Sequence, residues 1–256
     1  MNKCPKCHQD VRPLQEICTH CGIVFAKYFL YHGNSLPQRE TLHTRFSIDE
    51  QTSLFQRVIE DDVYRLNHLA FWGRCLLLPL FIIWSWVLIT PSIASNEVAA
   101  SFLHNVNLPF HEAGHIFFGP FGAFIKSLGG TLGQLLMPAI CMLVLWVKTR
   151  DPYGAGLALW WVGENFLDIS PYINDARAGQ IPLLGGNTGE FSPYGFHDWT
   201  FLLTESGFLQ YDHLLAKFSH VTGSLIMLAA LLGCAYLLMK QKKVLANSTI
   251  DFEGHP

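Results

Sequence analysis

Residues 75–96 read CLLLPLFIIWSWVLITPSIASN: 22 positions without a charged side chain, nearly all apolar from Leu76 to Ile89. As a helix this run is about 33 Å long, close to the hydrocarbon thickness of a bilayer. Two more runs repeat the pattern, 127–147 between Lys126 and Lys148 and 218–239 between Lys217 and Lys240. Globular helices that are apolar on every face are seldom this long. The three runs therefore predict transmembrane helices. A fourth stretch, Tyr153–Asp168, is apolar except for Glu164 and Asp168 near its far end, and Pro171 beyond it predicts a stop. It reads as a span too, because the flanking charges then fall on consistent sides. Ionisable side chains inside a span are costly and usually functional.

A fifth stretch, Pro109–Gly119, is too short to cross: eleven helical residues reach about 16 Å. Gly119-Pro120 predicts its end, and Gly129-Gly130 predicts another turn before the next span. Such a half-helix is tolerated at membrane depth only where protein or water covers its ends. The expected fold is thus an all-α polytopic membrane protein, with about four transmembrane helices and a re-entrant half-helix. The composition agrees. The 256 residues are 50% hydrophobic and only 14% charged, against about 25% charged in soluble domains. A net charge of -3 gives no reason to expect a nucleic-acid partner.

Orientation follows from the cations. Arg57, Arg65 and Arg74 precede the first span, Lys148 and Arg150 follow the second, and Lys240, Lys242 and Lys243 follow the last. With four spans these clusters share one side, which the positive-inside rule makes cytoplasmic. Both termini are then expected in the cytoplasm, and the setting expected is a bacterial inner membrane. Lys126 is the exception. The chain divides into an N-terminal module (1–30), a polar connector (31–70) with an amphipathic helix around Ile48–Leu69, a membrane domain (71–240) with an outer loop (172–215), and a polar tail (241–256).

Cys4-Pro5-Lys6-Cys7 and Cys18-Thr19-His20-Cys21 are two C-x-x-C knuckles ten residues apart. Each turns two sulfurs toward one point, and together they complete a tetrahedral four-thiolate site. A module this small cannot bury enough core to fold without help, so metal is expected to supply the stability. It resembles the zinc-ribbon family, which implies a zinc ion on Cys4, Cys7, Cys18 and Cys21 and docking of a cytoplasmic protein.

His111-Glu112-Ala113-Gly114-His115 is an H-E-x-x-H motif. Its histidines lie one helical turn apart and can share a zinc ion, with Glu112 beside them to take a proton from a water. Two zinc ions per chain are therefore expected. Burying these side chains unpaired among Leu108, Phe110, Ile116 and Phe117 would cost several kcal/mol each by order of magnitude. A zinc hydrolase needs a third protein ligand. Glu164 and Asp168, four apart on one helix face, are the expected source, one as ligand and the other orienting a histidine. In the outer loop Asp175, His197 and Asp198 are accessory candidates, His197 for metal or substrate and Asp198 to buttress a ligand. Gly129, Gly130 and Gly133, with Gln134, either let backbone approach the site or serve helix packing.

An H-E-x-x-H with apolar flanks resembles the site-2 protease family of intramembrane zinc metallopeptidases. That resemblance implies a ligand aspartate on a later membrane segment, here Asp168, although Ile169-Ser170-Pro171 departs from the family's following glycine. Glu164-x-x-x-Asp168 also looks like the glutamate-plus-aspartate element of the gluzincins, which implies Glu164 as ligand. The chain as a whole looks like bacterial membrane proteins that pair a zinc ribbon with H-E-A-G-H. The function expected is a zinc metallopeptidase with Glu112 as its base, surrounded by lipid and cutting a membrane protein or peptide. The alternatives are a non-catalytic membrane zinc sensor or scaffold, and a lipid amidase of the ceramidase type using His111-x-x-x-His115.

Overall fold

The structure is a computed structural model that describes residues 3–9, 18, 20–25, 28, 57–60, 62 and 68–253, the last eight by backbone alone. The chain forms two compact units, Met1–Thr52 and Ser53–Pro256. Most of the connector and of the amphipathic helix expected around Ile48–Leu69 lies outside the described residues.

In the first unit the two knuckles are built alike, 14 residues apart. The His8 amide donates to Cys4 O at 2.9 Å and the Gly22 amide to Cys18 O at 2.8 Å. His8 and Gly22 both take the left-handed conformation, φ 59° and 71°, which turns each strand of chain back sharply enough to aim both sulfurs inward. Cys4 and Cys18 are fully buried, with Phe25, Ile23 and Tyr28 packed around them.

The second unit is helical, with no β-strand among the described residues beyond one isolated bridge, Pro182 to Thr188. Helix α1 is His68–Ile89, α2 Phe102–Phe118, α3 Ala123–Val144, α4 Pro152–Asn174, α5 Asp198–Glu205 and α6 Asp212–Glu253. Three stretches are long and apolar enough to cross a membrane: His68–Ile89, Ala123–Thr149 (α3 with the π-turn that follows it) and Leu209–Leu245. Large side chains point outward from them, among them Leu76, Ile83, Trp86, Leu225 and Leu232. In water such a surface would be costly; in lipid it costs nothing.

Helix α4 lies in the middle of this unit. Trp160, Leu167 and Met227 form a shared core with α6. Close approach is set by Gly163 and Gly223, since a Cβ on Gly163 would come within 2.7 Å of Gly223 O. Small residues let helix backbones meet where lipid offers no hydrophobic drive. Burial on several faces explains why α4 tolerates Glu164, Asn165 and Asp168.

Four local expectations are corrected. The half-helix runs from Phe102 rather than from Pro109, because the Ser101 side chain caps it by accepting the Leu103 amide at 3.2 Å. Gly129 and Gly130 are not a turn but lie inside α3, whose start is displaced to Ala123 by Gly119-Pro120 and by Gly122 at φ +97°. Pro171 does not stop α4, which continues to Asn174; α4 keeps helical geometry there because it is packed on α6 and α5. The 172–215 loop carries a helix of its own, α5.

At one end of the unit Arg74 clamps three elements. It makes two 2.8 Å bonds to Asp62 and one of 2.9 Å to Asp151, which caps α4 by accepting the Gly154 amide. Gln241 of α6 donates to the same Asp62 at 2.7 Å. From Asp151 to Tyr172 is nearly the whole of α4, about 30 Å. The histidine motif sits by Tyr172, at the opposite end.

Candidate metal centre

Helices α2 and α3 meet backbone to backbone. A Cβ on Gly114 would overlap Gly129 O, and one on Gly133 would come within 2.9 Å of Gly114 Cα. Both uses foreseen for the glycines are therefore realised, because this contact slides the H-E-x-x-H face under α3. A Cβ on Gly130 would strike Nε2 of His111 and stand 2.6 Å from Nε2 of His115. Only glycine leaves room there for two imidazoles.

The rings of His111 and His115 are 4.8 Å apart. Their Nε2 atoms converge on Asp198 Oδ2, at 3.1 and 3.2 Å. A tetrahedral zinc with bonds near 2.0–2.1 Å spaces its ligand atoms about 3.3 Å apart. The three ligand atoms all lie within 4.8 Å of one another, so the group can hold a metal ion. His115 Nδ1 donates to the carbonyl of Lys126 at 2.8 Å. A carbonyl only accepts, so Nδ1 carries the ring proton and a neutral His115 turns its Nε2 lone pair on the carboxylate. A lone pair facing a carboxylate oxygen is repulsive unless a cation lies between them.

Asp198 is placed by the two other accessory candidates. His197 is the N-cap of α5, its Nδ1 accepting the Thr200 amide at 3.2 Å. Its Nε2 lies 3.4 Å from Asp175, and its ring stacks on Tyr172 at 4.2 Å. Burial lowers the His197 pKa, which suits a neutral ring that accepts at Nδ1. Asp175 accepts the amides of Gln180 and Ile181 at 2.9 and 2.8 Å. The Asp198 amide donates to the Tyr172 hydroxyl at 3.0 Å. His197 and Asp175 are thus supports for Asp198, and neither is grouped with the histidine pair.

Glu164 and Asp168 are not grouped with His111 and His115; the acid that stands beside the two histidines is Asp198 of α5. Asp168 accepts from His104 at 2.8 Å, and Asn107 donates to both Glu164 and Asp168, at 3.0 and 3.1 Å. The physical reason is where the helices cross. The α4 face carrying both acids meets α2 one to two turns before the motif, at His104 and Asn107. These two, with His111, recur at helical spacing on one face of α2, a polar stripe from which they can be read. Tyr172 carries no such signal.

Glu112 is half-buried and lines a cavity of about 1200 Å³ together with His111, His115, Asp198, His104 and Asp168. In the first unit Cys4 Sγ lies 3.6 Å from Cys21 Sγ and Cys7 Sγ 3.6 Å from Cys18 Sγ, and the four thiols form the second group that can hold a metal ion. No protein-family model, curated protein or solved structure gives a significant match to this chain.

Proposed function

We propose that the chain is a membrane-embedded zinc metallopeptidase, with both the ribbon and the membrane centre binding zinc. The observation that carries the reading is the convergence of His111, His115 and Asp198 beside Glu112 in one cavity. Two nitrogens and one carboxylate oxygen are a common catalytic zinc set, and they leave a fourth position for water or substrate. Zinc in such a centre supplies Lewis acidity toward the scissile carbonyl. The chain's own residues do the rest. Glu112 takes the proton of the attacking water and returns it to the leaving amine. Tyr172 and His197 hold the backbone at Asp198 in place, and the cavity walls keep the peptide bond beside Glu112.

In this reading α4 is a fourth crossing, enclosed by protein, and α2 is the short helix that lies inside the bundle. The basic clusters then place both termini in the cytoplasm of a bacterial inner membrane. Site-2 protease likeness extends to a ligand aspartate later in the chain, but Asp198 takes that part from a short helix after α4. The substrate is a membrane protein or peptide, and the ribbon docks a cytoplasmic protein.

Glu112→Gln tests the reading. It keeps every ligand and removes the base, so zinc content stays unchanged while hydrolysis falls at least about a hundredfold. If Glu112→Gln leaves the phenotype intact and His111→Ala abolishes it, the centre is a non-catalytic sensor.

A further inference from the structure

A chain of buried amides leads away from His111. Its Nδ1 lies 2.7 Å from Gln134 Oε1, Gln134 Nε2 lies 3.2 Å from Asn165 Oδ1, and Asn165 Nδ2 lies 3.3 Å from Asn107 Oδ1. Asn165 is fully buried, and Asn107 and Gln134 are nearly so. Water therefore does not compensate a wrongly turned amide. Side-chain amides have two ends of similar shape, and which end is oxygen must come from their partners.

Here two partners have only one role each. Asn165 Nδ2 lies 3.0 Å from the Trp161 carbonyl, which can only accept. The Trp161 indole N–H, which can only donate, lies 2.8 Å from Asn107 Oδ1. The far end of Asn107 faces the carboxylates of Glu164 and Asp168, which fixes it as the NH₂ end. Asn165 must therefore present its oxygen to Gln134. Gln134 must then present its NH₂ to Asn165 and its oxygen to His111. The proton of His111 is forced onto Nδ1.

We infer that Gln134 and Asn165 are positioning residues that lock His111 in the Nδ1–H tautomer, so that its Nε2 lone pair always faces the metal position; this rests on the metal-centre reading above. The Lys126 carbonyl does the same for His115. Backbone carbonyls thus decide the tautomer of both histidines, directly for His115 and through two side chains for His111. The acids of α4 acquire a part in this scheme. Glu164 and Asp168 hold the Asn107 amide, which in turn helps to hold Asn165.

The test is zinc affinity, measured by chelator competition on the purified full chain with the ribbon site saturated, with thermal unfolding followed in parallel. Gln134→Met removes the acceptor for His111 and is expected to weaken binding about 10- to 100-fold. Gln134→Glu loses the same bond to Asn165 but keeps an acceptor whichever way it turns, and it is expected to bind at least as tightly as the wild type. Asn165→Ala frees Gln134 to turn and is expected to weaken binding about tenfold. The pair Gln134→Glu with Asn165→Ala should restore it, a rescue that lost packing alone does not produce. If Asn165→Ala does not fold, the comparison of Gln134→Glu with Gln134→Met decides. Wild-type affinity in Asn165→Ala, or equal losses in Gln134→Glu and Gln134→Met, overturns the tautomer lock alone. A wild-type chain that takes no zinc at this centre overturns the metal reading, and the lock with it.

Discussion

Asp198 follows His111 by 87 residues, yet its Oδ2 stands 3.1 Å from the His111 Nε2. Helix α2 supplies both nitrogens, and a short helix beyond α4 supplies the acid. Neither part makes a three-ligand site alone.

Asp198→Ala is therefore expected to empty the membrane centre, since two nitrogens fall short of the three protein ligands of a zinc hydrolase. Asp168→Ala should leave the centre loaded and loosen only His104 and Asn107. Metal per chain, measured by elemental analysis after desalting, separates the two. Loss of metal in Asp168→Ala with retention in Asp198→Ala would return the ligand to α4.

Gly130→Ala is expected to abolish metal binding at this centre, because its Cβ meets Nε2 of both histidines. Overpacking of this kind usually costs about 1–3 kcal/mol, so the melting temperature should fall as well. Gly119→Ala is the control, with no atom within 4 Å of the added Cβ. A Gly130→Ala chain with full metal content would mean that the rings do not lie where they are described.

Cys4→Ser with Cys7→Ser is expected to remove one metal ion and leave the second bound, because the ribbon and the helical unit are separate compact bodies. Elemental analysis should read one ion fewer than in the wild type. Loss of all metal after this change would show that the two centres depend on each other.

Arg74→Ala should destabilise the helical unit by about 3–5 kcal/mol, the usual cost of stranding one member of a buried ion pair, here Asp62. Arg74 and Asp62 are both largely buried, and Asp62 also receives Gln241. Thermal unfolding in detergent measures the loss. Replacing Arg74 and Asp62 together with leucine should recover part of it, because no buried charge is then left unpaired and Asp151 is exposed enough to be solvated.

Local pattern made the three long apolar helices and the paired cysteines legible, since each is written in consecutive residues. The turn positions mislead for a physical reason. Gly129, Gly130 and Pro171 look like breakers, but each sits in a helix packed against another, and tertiary contact overrides propensity. Asp198 was visible only as an accessory. A His-Asp pair in a loop carries no periodic signal, and only the fold shows that Tyr172 and His197 deliver it to the motif. The four-residue spacing of Glu164 and Asp168 makes it legible that they share one face of α4. Their partners, His104 and Asn107, precede the motif on α2, and no spacing rule connects the two helices.

The bond between Gln241 and Asp62 joins residues 179 positions apart. During synthesis Asp62 and Arg74 leave the ribosome early, whereas Gln241 emerges only when nearly all of this sequence has been made. That end of the bundle cannot close until then. A chain cut short before Gln241 keeps a carboxylate with one donor too few at the edge of an apolar bundle, so synthesis through that residue is itself a condition for sealing this end of the unit.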